Sequence, residues 1–232
     1  YGKALGEEAR FREKDVILGP GLNMYRSPLC GRNFEYMGED PYLAGKLAVP
    51  YIQGLQSNGV AACVKHYACN NEERHRHKTD VEVSERALRE IYLPAFEMAV
   101  KEGDAWSIMA SYNLFRGTHC CHNGYLINDI LKGEWGFDGL VMSDWAGTHD
   151  TKEAVLGGLD VEFGTKVGKK MPAGESVYDI YYLANPYKEG ILSGEYSMEG
   201  LDERVRRVLR LTFKTAMNPD KPYGSMCTPE HL

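Results

Sequence analysis

Short apolar runs, each stopped by polar residues and each followed by a helix-length amphipathic segment, recur along this chain and constrain its fold more than any other feature. The strands read at 15–21, 59–64, 106–110, 139–142 and 159–163, the last interrupted by Asp160 and Glu162. Short apolar runs rich in β-branched residues and punctuated by glycine read as strands buried on both faces, as in a parallel sheet. Strand alternating with helix predicts such a sheet with helices packed outside it. The strand-to-strand distances suit an α/β fold of the (β/α)8, TIM-like barrel type. Only five strands are legible against the eight of a closed barrel, so an N-terminal part is expected to be missing. Residues 1–217 form the barrel domain in this reading. Residues 218–232, with Pro219, Pro222 and Pro229, read as a linker to an absent C-terminal domain.

The helices have start signals. Asp40-Pro41 opens one running to about Asn58, with Leu43, Leu47, Tyr51, Ile52 and Leu55 predicted on its inward face. Ser84 caps a second, to about Glu102, and Asn123 caps a third carrying Leu126, Ile127, Ile130 and Leu131. A helix is expected around 151–156, and two more at 178–190 and 201–216. In the last, Val205, Val208, Leu209 and residues 211–213 are predicted inward and Arg204, Arg206, Arg207 and Arg210 largely outward. Residues 164–174 are expected to be a loop.

The strand ends carry the chemistry. Arg26 and Arg32 follow the first strand, Lys65-His66 ends the second, Tyr112 follows the third, and Ser143-Asp144-Trp145 ends the fourth, with Glu162 as a further candidate. The ends of parallel strands converge on one mouth in a barrel. An Asp at such an end can equally cap the next helix, but polar residues at successive strand ends favour a shared pocket. Sugar hydroxyls need donors and acceptors, which Arg32, Lys65 and His66 supply, and Trp145 offers an apolar face. Asp144 with cations nearby is expected to stay ionised and to attack an anomeric carbon, with Tyr112 hydrogen-bonded to it. Glu35 is expected to orient Arg32.

Composition narrows the classes. A formal net charge of -6 provides no basic stripe for nucleic acid. No apolar run reaches the roughly 18–20 residues needed to span a bilayer, so no membrane partner is expected. Cys30, Cys63, Cys69, Cys120, Cys121 and Cys227 contain no C-x-x-C pair, and adjacent Cys120 and Cys121 are not expected to bridge each other. A metal-dependent barrel hydrolase using His75, His77, His119 and His122 is a rival reading, disfavoured because the H-x-H pair falls in a polar loop with no carboxylate spaced for it. No metal or other cofactor is expected. The compartment stays open, with a secreted or periplasmic location favoured over a cytoplasmic one.

Several segments carry a family resemblance: Arg32-Asn33-Phe34-Glu35-Tyr36 with Glu39-Asp40-Pro41, Val64-Lys65-His66-Tyr67, Arg89-Glu90-Ile91-Tyr92-Leu93-Pro94-Ala95-Phe96, Glu134-Trp135-Gly136-Phe137-Asp138-Gly139 and Ser143-Asp144-Trp145. In this order they resemble glycoside hydrolase family 3 over about residues 18–210, its β-glucosidase branch above the others. The resemblance implies a retaining exo-hydrolase that removes terminal non-reducing β-D-glucosyl residues from a β-glucoside or oligosaccharide through a covalent glycosyl-aspartate. By motif match Asp144 is the nucleophile. Arg32, Lys65 and His66 bind the hydroxyls of the sugar, Met109 and Tyr112 line the pocket, and Trp145 flanks the nucleophile. Two departures follow from the same match. The family's early strand, with an Asp that clamps sugar hydroxyls, has no counterpart before Tyr1. The acid/base Glu of this branch normally lies in a second α/β domain, so a companion domain or segment is the expected partner. A β-xylosidase or β-N-acetylglucosaminidase of the same family is the alternative activity. For the latter, the loop Ala68-Cys69-Asn70-Asn71-Glu72 lacks the expected glycine-rich turn. A non-catalytic sugar-binding fragment is the third alternative.

Overall fold

A computed structural model describes residues 1–164, 174 and 176–223. Its strands are β1 (Val16–Ile17), β2 (Ala61–Tyr67), β3 (Asp80–Val81), β4 (Ser107–Ala110), β5 (Leu114–Phe115), β6 (Thr118–His119) and β7 (Leu140–Met142). The main sheet has the order β1-β2-β4-β7, all parallel. Helices cross over between its strands, which makes the architecture an incomplete barrel of the TIM type. The expected fifth strand is reduced to one bridge, Val161 to Met142. Its neighbours bond irregularly, because Asp160 N–H and Val161 N–H both donate to the Val141 carbonyl.

Period-two alternation sorts the sheet into two apolar faces. Ala62, Val64, Ile108 and Val141 face the outer helices and join Ile52, Leu55, Phe96, Ile127 and Ile130, all fully buried. Cys63, Met109, Leu140 and Met142 face the other way, against Val16, Val161, Phe163 and Leu211. This two-sided burial is why the strands read as continuous apolar runs.

The helices begin where their caps predict. Asp40 accepts from Leu43 N–H at 2.8 Å at the start of the helix Pro41–Gln56, and Asn123 accepts from Leu126 N–H at 3.1 Å before Tyr125–Glu134. Ser84 caps Glu85–Ala87, but the helix then widens through Leu88–Tyr92 before resuming at Pro94–Lys101. Leu93 N–H reaches back five residues, to the Leu88 carbonyl, and Pro94 has no N–H to continue the ladder.

The structure revises several expectations. In Pro41–Gln56 the inward face is Ala44, Gly45, Ala48, Ile52 and Leu55, while Leu43 and Leu47 are exposed. Small residues let this helix approach Pro94–Lys101 closely: a Cβ on Gly45 would lie 2.4 Å from the Met98 sulfur. The helix expected over 178–190 is a short turn at Val177–Ile180 followed by Asn185–Leu192, which starts beside Pro186. The last helix, Met198–Lys214, reverses much of its predicted orientation. Val205, Val208, Leu209 and Phe213 are exposed and Arg204 is buried. Arg204 donates to the carbonyls of Leu159 (2.9 Å), Gly200 (2.8 Å) and Val155 (2.6 Å), and Arg207 to those of Gly139 (2.7 Å) and Phe137 (3.2 Å). A five-donor guanidinium satisfies carbonyls that a hydrocarbon side chain would leave unpaired. Residues 165–173, most of the expected 164–174 loop, lie outside the described residues, as does Cys227.

A second, smaller sheet was not anticipated. β5 and β6 form an antiparallel hairpin, and β3 joins β5 in parallel. Its turn, Arg116-Gly117, has positive φ at both residues (53° and 80°), the geometry that matches strand twist in a two-residue hairpin. This hairpin places His119 and the Cys120-Cys121 pair beside the end of β4. All described cysteines are free.

Candidate active site

The C-terminal ends of β2, β4 and β7 bring the predicted polar residues together. β2 contributes Lys65 and His66, whose backbone is clamped on both sides. Lys65 N–H donates to the Pro20 carbonyl and the Lys65 carbonyl accepts from Leu22 N–H. His66 N–H donates to Asn23 Oδ1 at 2.8 Å, and Asn23 Nδ2 donates back to the His66 carbonyl at 2.9 Å. This reciprocal pair fixes the strand end against the segment after β1.

Glu35 ties the two predicted cations together. Arg32 Nε donates to its Oε1, and Lys65 Nζ lies 3.0 Å from its Oε2. Burial acts to raise the Glu35 carboxyl. Hydrogen bonds from Arg32 and Lys65, with their charges, overcome it, and the net shift is downward. Glu35 therefore orients Lys65 as well as Arg32. Arg32 Nη2 also donates to His66 Nε2 at 2.9 Å. That nitrogen must then be an acceptor, which leaves the ring proton on Nδ1, 3.2 Å from the Tyr36 hydroxyl. Burial, followed by the charges of Arg32, Lys65 and Arg76, drives the His66 pKa down to about 2. The imidazole is neutral, so its 3.6 Å approach to Asp144 Oδ2 is a contact of an uncharged ring with a carboxyl.

Asp144 follows β7 and is 8% exposed. Its Oδ1 accepts from Trp145 N–H at 3.1 Å, and the Tyr112 side chain faces its carboxyl and favours the ionised form. Burial raises the Asp144 pKa. Tyr112 and the charges of Arg32, Arg76 and Lys65 oppose that rise without cancelling it. The sequence-based expectation weighed only the cations, and desolvation is the larger effect here. Tyr112 is pushed up in turn, by burial and by the Asp144 charge.

Trp145 stands beside Asp144, half-exposed, its ring stacked on Phe163 with centroids 5.5 Å apart and planes 11° apart. Gly164 makes this possible. Its φ is 62°, and a Cβ there would lie 2.4 Å from Trp145 Cδ1. Met109 packs into the apolar face with Cys63, Leu140 and Met142. Arg26 is exposed and stacks over Tyr92, away from this group. Glu162 is buried and accepts from Leu183 N–H at 2.7 Å, a structural bond.

Sequence reading missed part of the constellation. Arg76 lies 4.4 Å over the Tyr112 ring and bonds Glu73 Oε2 at 2.7 Å, while Glu73 Oε1 is 4.0 Å from Arg32. The basic run Arg74 to Lys78 was a visible signal, but nothing local says which of its residues turns inward. Arg32, Lys65 and Arg76 are thus matched by Glu35, Glu73 and Asp144 around a neutral His66. Such a set can exchange hydrogen bonds with many hydroxyls without holding a net charge of its own. Among the described residues no group of three or more His, Cys, Asp and Glu side chains has the geometry of a metal site.

Residues 1–211 match the glycosyl hydrolase family 3 N terminal domain. A β-glucosidase of Bacteroides ovatus is 59% identical over 231 residues, covering 100% of this chain and 31% of the relative. An exo-α-(1→6)-L-arabinopyranosidase of Bifidobacterium longum is 51% identical over 161 residues, 69% of this chain and 21% of the relative. The solved β-glucosidase 3B of Thermotoga neapolitana in complex with glucose superposes with a TM-score of 0.87 at 40% identity, over 99% of this chain and 32% of that one. The chain spans between about a fifth and a third of the length of these relatives. On the match over residues 1–211 and the identity across its whole length, this chain belongs to glycosyl hydrolase family 3.

Proposed function

We propose that this chain supplies the sugar-binding half and the nucleophile of a retaining exo-β-glucosidase. The observation that carries the reading is the setting of Asp144: a buried carboxyl facing Tyr112, beside a neutral His66, with Arg32 and Lys65 held in place by Glu35. Arg32, Lys65 and His66 take the hydroxyls of the terminal glucosyl unit, and Trp145, Tyr112 and Met109 shape its pocket.

In the first step a carboxylate oxygen of Asp144 attacks the anomeric carbon. The bond to the aglycone oxygen breaks, and that oxygen takes a proton from an acid on the opposite side. Water then attacks the glycosyl ester, giving its proton to the same acid/base group, and Asp144 is released. A retaining pair requires the second carboxyl ~5–5.5 Å away. Glu35 is ill suited to that role, because its cationic partners hold its pKa down, the wrong direction for a general acid. As the family resemblance implies, the acid/base carboxyl is taken to come from a companion α/β domain or segment, with residues 218–232 as the connection.

A β-glucoside is the preferred substrate because three relatives matched over 94–100% of this chain are named β-glucosidases. The arabinopyranosidase relative keeps a pentoside, and with it a β-xyloside, as the second reading. The test is trapping in the full-length protein. A 2-deoxy-2-fluoro-β-glucosyl fluoride should inactivate it and leave the sugar on the peptide carrying Asp144, as mass spectrometry reads. Labelling of another carboxylate, or Asp144→Asn turning over β-glucosides at the wild-type rate, refutes the assignment.

A further inference from the structure

Glu35 fixes two of the three cations around Asp144, and the third, Arg76, is held by a different carboxylate. Arg76 lies on the turn-rich loop between β2 and β3. A long, flexible side chain on such a loop loses rotamer freedom when it is held in one place, so a fixed guanidinium needs a partner. The Arg76 guanidinium is fixed 4.4 Å over the Tyr112 ring, and His77, the next residue, packs on the same ring with centroids 4.2 Å apart. From there the Arg76 charge acts on three members of the site. It opposes the burial-driven rise of Asp144 and of Tyr112, and it adds to the lowering of His66.

The partner is Glu73. Arg76 Nη1 donates to Glu73 Oε2 at 2.7 Å, the length of a charge-assisted bond, and the two side chains are 30% and 20% exposed. The other oxygen, Oε1, accepts from Asn70 Nδ2 at 3.2 Å. Asn70 lies just past the end of β2 and is 1% exposed, so the carboxylate is anchored to a buried group at the strand end. Arg32 Nη1 stands 4.0 Å from the same Oε1, too far for a hydrogen bond. Cations and carboxylates therefore alternate in the order Lys65, Glu35, Arg32, Glu73, Arg76.

We propose that Glu73 is a positioning residue of this site: anchored by Asn70, it holds the Arg76 guanidinium over Tyr112, where that cation supports the ionised Asp144. The inference rests on the glycosidase reading above, because the group served is the nucleophile of that reading. Asp144 is faced by Lys65 and His66 from β2, Tyr112 after β4, Arg32, Arg76 and the thiols of Cys63 and Cys121. Of these, Arg76 is the group that Glu73 bonds. The direction of a pH shift then separates positioning from mere charge. Glu73→Gln removes a negative charge. With Arg76 left in place, that change favours ionised Asp144 and moves the acid limb of kcat/KM to lower pH. With Arg76 released, the support of the cation is lost and the limb moves to higher pH.

The test is steady-state hydrolysis of an aryl β-glucoside across pH by the full-length protein, as wild type, Glu73→Gln, Arg76→Met and the double variant. Glu73→Gln should lose roughly 10-fold or more in kcat/KM and move the acid limb to higher pH. In the Arg76→Met background it should add nothing to either effect, because both changes remove one interaction. Glu73→Asp, which keeps the charge, should recover part of the loss. An acid limb that stays put or moves to lower pH overturns the proposal, and so does a double variant whose losses multiply. A crystal structure of full-length Glu73→Gln reads the positioning without the reaction: Arg76 displaced from Tyr112 supports it, and Arg76 still over that ring overturns it. A wild type that hydrolyses no glycoside, with Arg76 displaced in Glu73→Gln, would sink the glycosidase reading and leave the tether standing.

Discussion

Glu35→Gln is the most informative single change, because the role assigned to Glu35 comes from its two cations and not from contact with substrate. The carboxylate holds Arg32 Nε on one oxygen and Lys65 Nζ, 3.0 Å away, on the other. Side-chain exposure of Lys65 and Glu35 is 16% and 19%, low enough that solvent screening removes little of the interaction. Glutamine keeps the shape and one acceptor oxygen but loses the charge, so one of the two tethers should fail. A hydrogen bond to a charged group contributes about 1.5–3 kcal/mol, which converts to a fall of roughly 10- to 150-fold in kcat/KM if the sugar contact of that cation is lost with it. The assay is steady-state hydrolysis of an aryl β-glucoside by full-length protein, with urea unfolding of the same samples to separate misplacement from misfolding. Glu35→Asp, which keeps the charge, should recover part of the loss. A Glu35→Gln protein within twofold of wild type, with an unchanged unfolding midpoint, would falsify the tethering argument.

Other expectations follow from single contacts. Arg76 helps to hold the Asp144 pKa down against burial. Arg76→Met should let that pKa rise further, and a nucleophile that must be ionised then moves the acid limb of the kcat/KM profile to higher pH; a shift to lower pH contradicts the electrostatics. Gly164→Ala forces a Cβ toward Trp145 at a position with φ of 62°. KM should rise roughly tenfold as Trp145 shifts, with a change in tryptophan emission to report the movement. Arg204→Leu leaves the carbonyls of Leu159, Gly200 and Val155 without their donor and should cost about 3 kcal/mol, read as a lower urea midpoint with no change in slope. Ile108→Ala in β4, fully buried, should cost about 2–5 kcal/mol by the same measurement.

Much of the architecture was legible because its signals are local. Strand runs that are apolar on both faces, Asp40 and Asn123 as caps, and polar residues at strand ends need only neighbouring residues to be recognised. Arginines on the last helix misled for the opposite reason. A cationic helix face is ordinarily solvated, and only the position of the Leu159, Val155 and Gly139 carbonyls reveals why Arg204 and Arg207 turn inward. Likewise Leu43 and Leu47 look like core residues until a second helix arrives at the alanine and glycine side.

By itself, the sequence determined the parallel α/β class, the helix starts at Asp40, Ser84 and Asn123, and the identity of Arg32, Lys65, His66, Tyr112 and Asp144 as residues gathered at strand ends, because each depends on short-range pattern and backbone preference. Only the tertiary structure decided the rest: that Glu35 serves two cations, that Arg76 and Glu73 complete the charge balance, and that burial outweighs those cations at Asp144. Distances between remote segments and the water excluded by their packing set the strength of charge and the contact of rings, and neither quantity is written along the chain.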